Sequence, residues 1–165
     1  MLPSLIYGVN GLCFCTLARL SCSWKKRTNE PTLGGSVMDL GIHGKVAIVG
    51  GSSKGLGRAS AESLAKEGVS LMLCARNQTT LEQTAHEIHA AYGNEVRTYA
   101  ADLELPDSIT GLVAATIQHY GRVDILISNI GGPPPGSAAN LDEIALQIGI
   151  DRTYLFFIRM ARDVL

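Results

Sequence analysis

With 165 residues, 46% of them hydrophobic and 18% charged, the chain has the size and composition of one ordinary globular domain with a buried core. Its net charge of −1 gives no electrostatic reason to expect nucleic acid or an anionic membrane as a partner. Aromatics make up only 5% while alanine and 18 glycines are plentiful, which suits closely packed layers of helix and sheet.

Residues 1–37 differ in character from the remainder. Leu2 to Leu20 is moderately apolar, but Asn10, Arg19 and two glycines interrupt it, leaving it short of the roughly 20 apolar residues of a membrane span. The basic run Lys25-Lys26-Arg27 follows the apolar stretch, whereas a secretory signal carries positive charge ahead of it. A signal-anchor, a disordered tail and a mis-assigned upstream extension are the readings left open. Cys13, Cys15 and Cys22 fall here, and Cys74 lies in a later apolar run as an expected reduced core residue. His86 and His89 share a predicted helix and read as a solvated face rather than a metal site.

From Met38 onward the pattern alternates strictly. A first strand is predicted over about 45–50, where Val46 to Val49 is unbroken apolar, and a helix over about 55–67, stopped by Gly68. A second apolar strand, Val69 to Ala75, precedes a helix over 78–92, where Leu81, Ala85, Ile88 and Tyr92 recur at helical steps before Gly93. A third strand over about 95–101 leads to a helix that begins near Pro106 and stops at Gly121. The fourth strand is Val123 to Ser128, and Leu141 to Leu165 reads as one long helix, buried on more than one face. Such alternation predicts an α/β domain: a doubly wound parallel sheet of Rossmann type, order 3-2-1-4, ending after the fourth strand and fourth helix.

Three short motifs sit at the ends of these strands. Gly51-x3-Gly55-x-Gly57 joins the first strand to the first helix, where a helix N-terminus offers unpaired N–H groups and glycines allow a pyrophosphate to approach the backbone. Asp102-Leu103 follows the third strand, and Ser128-Asn129-Ile130-Gly131 ends the fourth. In this order and spacing they resemble the short-chain dehydrogenase/reductase family over roughly residues 38–165. That family's first turn reads Thr-Gly-x3-Gly-x-Gly, so Gly50 stands for its threonine, a change read as the loss of one side-chain hydrogen bond. The Gly131-Gly-Pro-Pro-Pro-Gly136 run resembles the branch described as 3-oxoacyl-carrier-protein-reductase-like. It is expected to form a shaped wall at the ligand edge.

The resemblance implies a nicotinamide dinucleotide site. Its residues would be Gly51, Ser53, Lys54, Gly55, Leu56 and Gly57 in the turn, Asp102 and Leu103 beside the adenine, and Asn129 and Gly131 beside the nicotinamide-side ribose. Selectivity is read from the residues themselves. An NAD-selective site places a carboxylate about 20 residues past the glycine turn, yet the second strand here ends Ala75-Arg76-Asn77. Arg76 and Lys54 are cations suited to a 2′-phosphate, so NADP is expected over NAD.

The family reduces carbonyls with a tyrosine proton donor, a lysine four residues later and an upstream serine. None of Tyr7, Tyr92, Tyr99, Tyr120 and Tyr154 has a lysine at that offset, and Thr153, flanked by Arg152, takes the place of the family's helical catalytic asparagine. No catalytic residue is therefore assigned. Members commonly begin a few residues before their first strand, which makes Met38 the expected natural start and residues 1–37 an atypical extension. The expected protein is the cofactor-binding N-terminal part of a cytoplasmic NADP-dependent carbonyl reductase, left by an incomplete gene or a frameshift. The alternative is a complete, non-catalytic nucleotide-binding or subunit-interaction module. With no strand after the fourth, that strand is expected to be a bare edge and the chain weakly stable. The intact protein would be a homo-oligomer acting on a small carbonyl or alcohol, without metal.

Overall fold

In the computed structural model, which describes residues 40–132, 142–165 and the backbone of 5–8, the fully buried run Val46–Gly50 (β2) lies at the centre of a parallel sheet. The other strands are Leu5–Gly8 (β1), Ser70–Ala75 (β3), Val96–Ala100 (β4) and Ile125–Ser128 (β5), in the order β1-β5-β2-β3-β4. The expected order 3-2-1-4 is thus the order of the four core strands. Register follows the apolar runs: Ala47 sits opposite Leu71 of β3 and Ile125 of β5.

Because successive strand residues point to opposite faces, each central strand feeds two cores. Ala47, Val49, Leu71, Leu73, Ile125 and Ile127 pack with helices Gly55–Lys66 (α1) and Gln78–Tyr92 (α2). Ile48, Met72, Cys74 and Leu126 pack on the other side with helix Pro106–Tyr120 (α3) and with Phe156 and Met160. Ala61 and Ala65 let α1 approach the sheet closely. Gly93 and Gly121, the expected stops, both take the left-handed conformation at helix C-termini, with φ of 74° and 75°.

Two expectations change. The fourth core strand is not a bare edge, because β1 pairs with β5 in parallel, Leu5 opposite Ile125 through Gly8 opposite Ser128. An open strand carries a row of unpaired N–H and C=O groups, and a short apolar segment of the same chain satisfies one side of it. The single long final helix is instead Glu143–Ile150 (α4), a π-helical turn Asp151–Leu155, and Phe156–Val164 (α5). It is buried on one face only: Phe156 and Met160 are inside, whereas Ile144 is 72% exposed and Leu146, Ile150 and Ile158 also face outward. Residues 9–39, including the proposed start at Met38, and 133–141, including the Pro133 to Pro135 run, lie outside the described residues.

Candidate dinucleotide site

The C-terminal ends of β2, β3, β4 and β5 converge on an open cleft of about 680 Å³. Gly51 and Gly55 turn the chain out of β2 with φ of 58° and 59°, the left-handed region that glycine enters without steric cost. Gly57 has a different task. A Cβ there would lie 2.8 Å from the Gly50 carbonyl oxygen and collide with that of Gly51, so a side chain would push α1 off the turn. Gly50 is more than a lost hydrogen bond, because a Cβ on it would stand 2.7 Å from the backbone oxygen of Asn129.

The turn is pinned from behind. Ser52 is fully buried, and both its N–H and its Oγ–H donate to the Cys74 carbonyl, at 3.1 and 3.2 Å. The Ser53 carbonyl accepts from Thr84 Oγ1 at 3.2 Å, which ties the turn to α2. Lys54 is the N-cap of α1, with no side-chain capping bond and no acidic residue in the helix's first turn. The first N–H groups of α1 therefore meet no internal carboxylate, the arrangement that suits an anion.

Ten of the eleven expected site residues line the cleft: Gly51, Ser53, Lys54, Gly55, Leu56, Arg76, Asp102, Leu103, Asn129 and Gly131. Gly57 is the exception, buried behind the turn that it shapes. Lys54 and Arg76 have no ion-pair partner among the described residues. Beyond Arg76, Asn77 caps α2, its Oδ1 accepting from the Thr80 N–H at 2.9 Å. The Asp102 carboxylate accepts from the Glu104 N–H at 3.0 Å. Cys74, behind the turn, is a free thiol whose pKa burial pushes up to about 12, so it is held neutral.

Sequence reasoning missed Ser52, whose burial depends on the packing of β3, and Glu104, which joins Arg152 across the cleft wall. Thr153 does not line the cleft; its hydroxyl donates to the Gly149 carbonyl at 2.5 Å, within the helix. Among the described tyrosines none lines the cleft, and Tyr120 donates instead to the Leu71 carbonyl at 2.9 Å.

A parallel sheet with helices on both faces, and a glycine turn running into a helix at the strand C-termini, define a Rossmann-type dinucleotide-binding domain. The family model described as short chain dehydrogenase matches residues 45–165, and the chain belongs to that family. A protein of Streptomyces coelicolor that bears the name of a ketoacyl reductase is 35% identical over 122 residues, which are 73% of this chain and 46% of that protein. L-sorbose reductase from Gluconobacter frateurii, solved with NADPH and L-sorbose, superposes with a TM-score of 0.72 at 32% identity, over 77% of this chain and 48% of that one. An actinorhodin polyketide ketoreductase solved with NADPH gives a TM-score of 0.67 at 33% identity, over 74% and 46%. The chain spans about half the length, or less, of the relatives it matches. No helix among the described residues is long and apolar enough to cross a membrane.

Proposed function

We propose that residues 38–165 form the cofactor half of an NADP-dependent carbonyl reductase, with residues 1–37 an extension to it. The observation that carries the proposal is the pair Lys54 and Arg76, two cations without ion-pair partners among the described residues, at a cleft whose second core strand ends without a carboxylate. A ribose 2′-phosphate supplies the charge that both lack, and Arg76 can meet it with a planar fork of donors. The turn also leaves room for the group, since a Cβ on Gly55, at the N-terminus of α1, would meet nothing within 4 Å. The NADPH held by the sorbose reductase and the polyketide ketoreductase supports the same choice.

When bound, such a dinucleotide supplies or accepts a hydride. This chain's own residues hold and orient it: the α1 N-terminus and glycine turn at the pyrophosphate, Asp102 and Leu103 at the adenine, and Asn129 and Gly131 toward the nicotinamide. Reduction of a ketoacyl or other small carbonyl substrate, with the serine, tyrosine and lysine set that it needs, is proposed for the whole protein rather than for these residues. The exposed apolar side chains Ile144, Leu146 and Ile150 of α4 favour a further role of the same chain in subunit association.

Titrating the 165-residue chain with NADPH and with NADH, followed by nicotinamide fluorescence, tests the cofactor assignment. NADPH is expected to bind at least tenfold more tightly, with the margin narrowing as salt rises. Equal affinities, or tighter NADH, would overturn it.

A further inference from the structure

The β5 edge of the sheet is occupied by a strand from the opposite end of the chain. In a parallel sheet a crossover helix leads into a strand parallel to the one before it, and the doubly wound order places the fifth such strand beyond the fourth. Here β5 is the fourth core strand and pairs on one side with β2. The helical segment after it returns over the sheet, with Phe156 and Met160 in the same core as Leu126. The position that this crossover leads into is the other side of β5. It is filled instead by Leu5–Gly8, which precedes every core strand in sequence. Leu5 stands opposite Ile125 and Gly8 opposite Ser128, so the whole length of β5 is covered up to the residue before Asn129 of the cleft.

The hold on β1 is slight. It has four residues and a single neighbour, and parallel pairing bonds only alternate residues to a given neighbour. Short segments of this kind open locally while core strands stay closed. We propose that Leu5–Gly8 is a displaceable strap, which caps the β5 edge and yields it to another parallel strand of the kind that the α4–α5 crossover leads into. Capping has a use of its own, because the apolar run Ile125 to Ile127 with one side bare presents a row of unpaired N–H and C=O groups to any other chain. The strand admitted is recognised through main-chain hydrogen bonds, as in strand addition to a sheet edge. That it belongs to the other half of a reductase rests on the function proposed above; the exchange of the edge does not.

The test uses the 165-residue chain and its Ile6→Pro/Tyr7→Pro variant. Adjacent residues of a strand point their N–H groups to opposite sides, so the pair of prolines removes a ladder donor whichever residue faces β5. Amides of Ile125 to Ser128 that point away from β2 are expected to exchange with solvent about tenfold or more faster in the variant, while those of Ile48 and Leu73 are unchanged. The probe for the vacated edge is a fluorescein-labelled peptide of residues 2–10. It is expected to bind the variant about tenfold or more tightly than wild type, whose own strap competes from within the chain. The same peptide carrying both prolines is expected to bind neither. Equal exchange in the two chains, peptide affinity equal in both, no saturable binding to the variant, or equal binding of the proline peptide would each overturn the proposal. So would a variant that loses NADPH binding while wild type keeps it, since the strand would then be integral to the fold. A wild-type chain that binds no NADPH, with the exchange and peptide results as expected, would instead overturn the cofactor reading and leave the strap standing.

Discussion

The side-chain amide of Asn129 donates to the carbonyl oxygen of Gly50 at 3.4 Å, joining the end of β5 to the end of β2 across a sequence separation of 79 residues. The backbones are equally close, since a Cβ on Gly51 would stand 2.7 Å from Asn129 Nδ2 and 2.9 Å from its carbonyl oxygen. The glycine turn and the asparagine motif are therefore one interlocked surface. Restoring the family's threonine at position 50 is predicted to destabilise the chain by about 1–3 kcal/mol, the cost of overpacking against backbone that has little room to yield. Urea unfolding of Gly50→Thr reads this directly; a midpoint at or above that of wild type would mean that the two strand ends relax freely.

Gly55 and Gly57 are predicted to fail for different reasons. At Gly55 the space for a Cβ is open and only the positive φ resists, so Gly55→Ala is expected to cost about 1–2 kcal/mol. At Gly57 the obstacle is the carbonyl backbone of Gly50 and Gly51, so Gly57→Ala should cost more and should also displace the anion-binding end of α1. Paired unfolding curves and NADPH titrations separate the two. A Gly57→Ala chain as stable as Gly55→Ala would refute the packing role.

Arg76 is exposed and makes no ion pair among the described residues, so removing it should leave the fold unharmed. Arg76→Ala is predicted to weaken NADPH about tenfold or more, because a charge-assisted hydrogen bond is lost, and to change NADH affinity by less than twofold. Calorimetric titration with each dinucleotide checks the ratio, and equal losses for both would move Arg76 away from the 2′-phosphate.

Asp124 gives the chain an acid limb. Burial raises the pKa of its carboxyl, but the hydrogen bond from Arg122 and the Val46 N–H, which reaches Oδ2 at 3.0 Å, outweigh this, and the net shift is downward. A carboxyl whose pKa is lower folded than unfolded stabilises the fold above its ordinary value of 3.8, and that contribution is lost as pH falls from there through the folded value. Asp124→Asn should therefore lower the urea midpoint at pH 7, with the gap to wild type closing below about pH 3.8. A gap independent of pH would remove the carboxylate from the account.

Much of this was legible in the residues because the signals are local. The apolar runs Val46 to Val49 and Leu71 to Ala75 have no polar interruption, which only a strand covered on both faces tolerates. Gly93 and Gly121 announce helix ends because left-handed backbone is cheap for glycine, and Arg76 declares its chemistry through type and distance from the turn. What was not legible depends on contacts between distant segments. Leu5–Gly8 has no strand signature of its own and takes its place only by pairing with β5. Ile144 and Ile158 read as core, yet α5 alone brings Phe156 and Met160 against the sheet, and one face is all that the sheet can cover. The pair of Arg152 and Glu104 spans 48 residues, a distance no local pattern reports.

The central claim is that this cleft holds an NADP-type dinucleotide through the glycine turn, Arg76 and the ends of β4 and β5. The most direct measurement is amide NMR of the labelled 165-residue chain titrated with NADPH. The account predicts shifts concentrated at Gly51, Lys54 to Gly57, Arg76, Asp102 and Asn129, with the Arg76 shift much reduced when NADH replaces NADPH. Shifts centred elsewhere, for instance around Arg97 and His119 beside β4, or none at saturating NADPH, would contradict it.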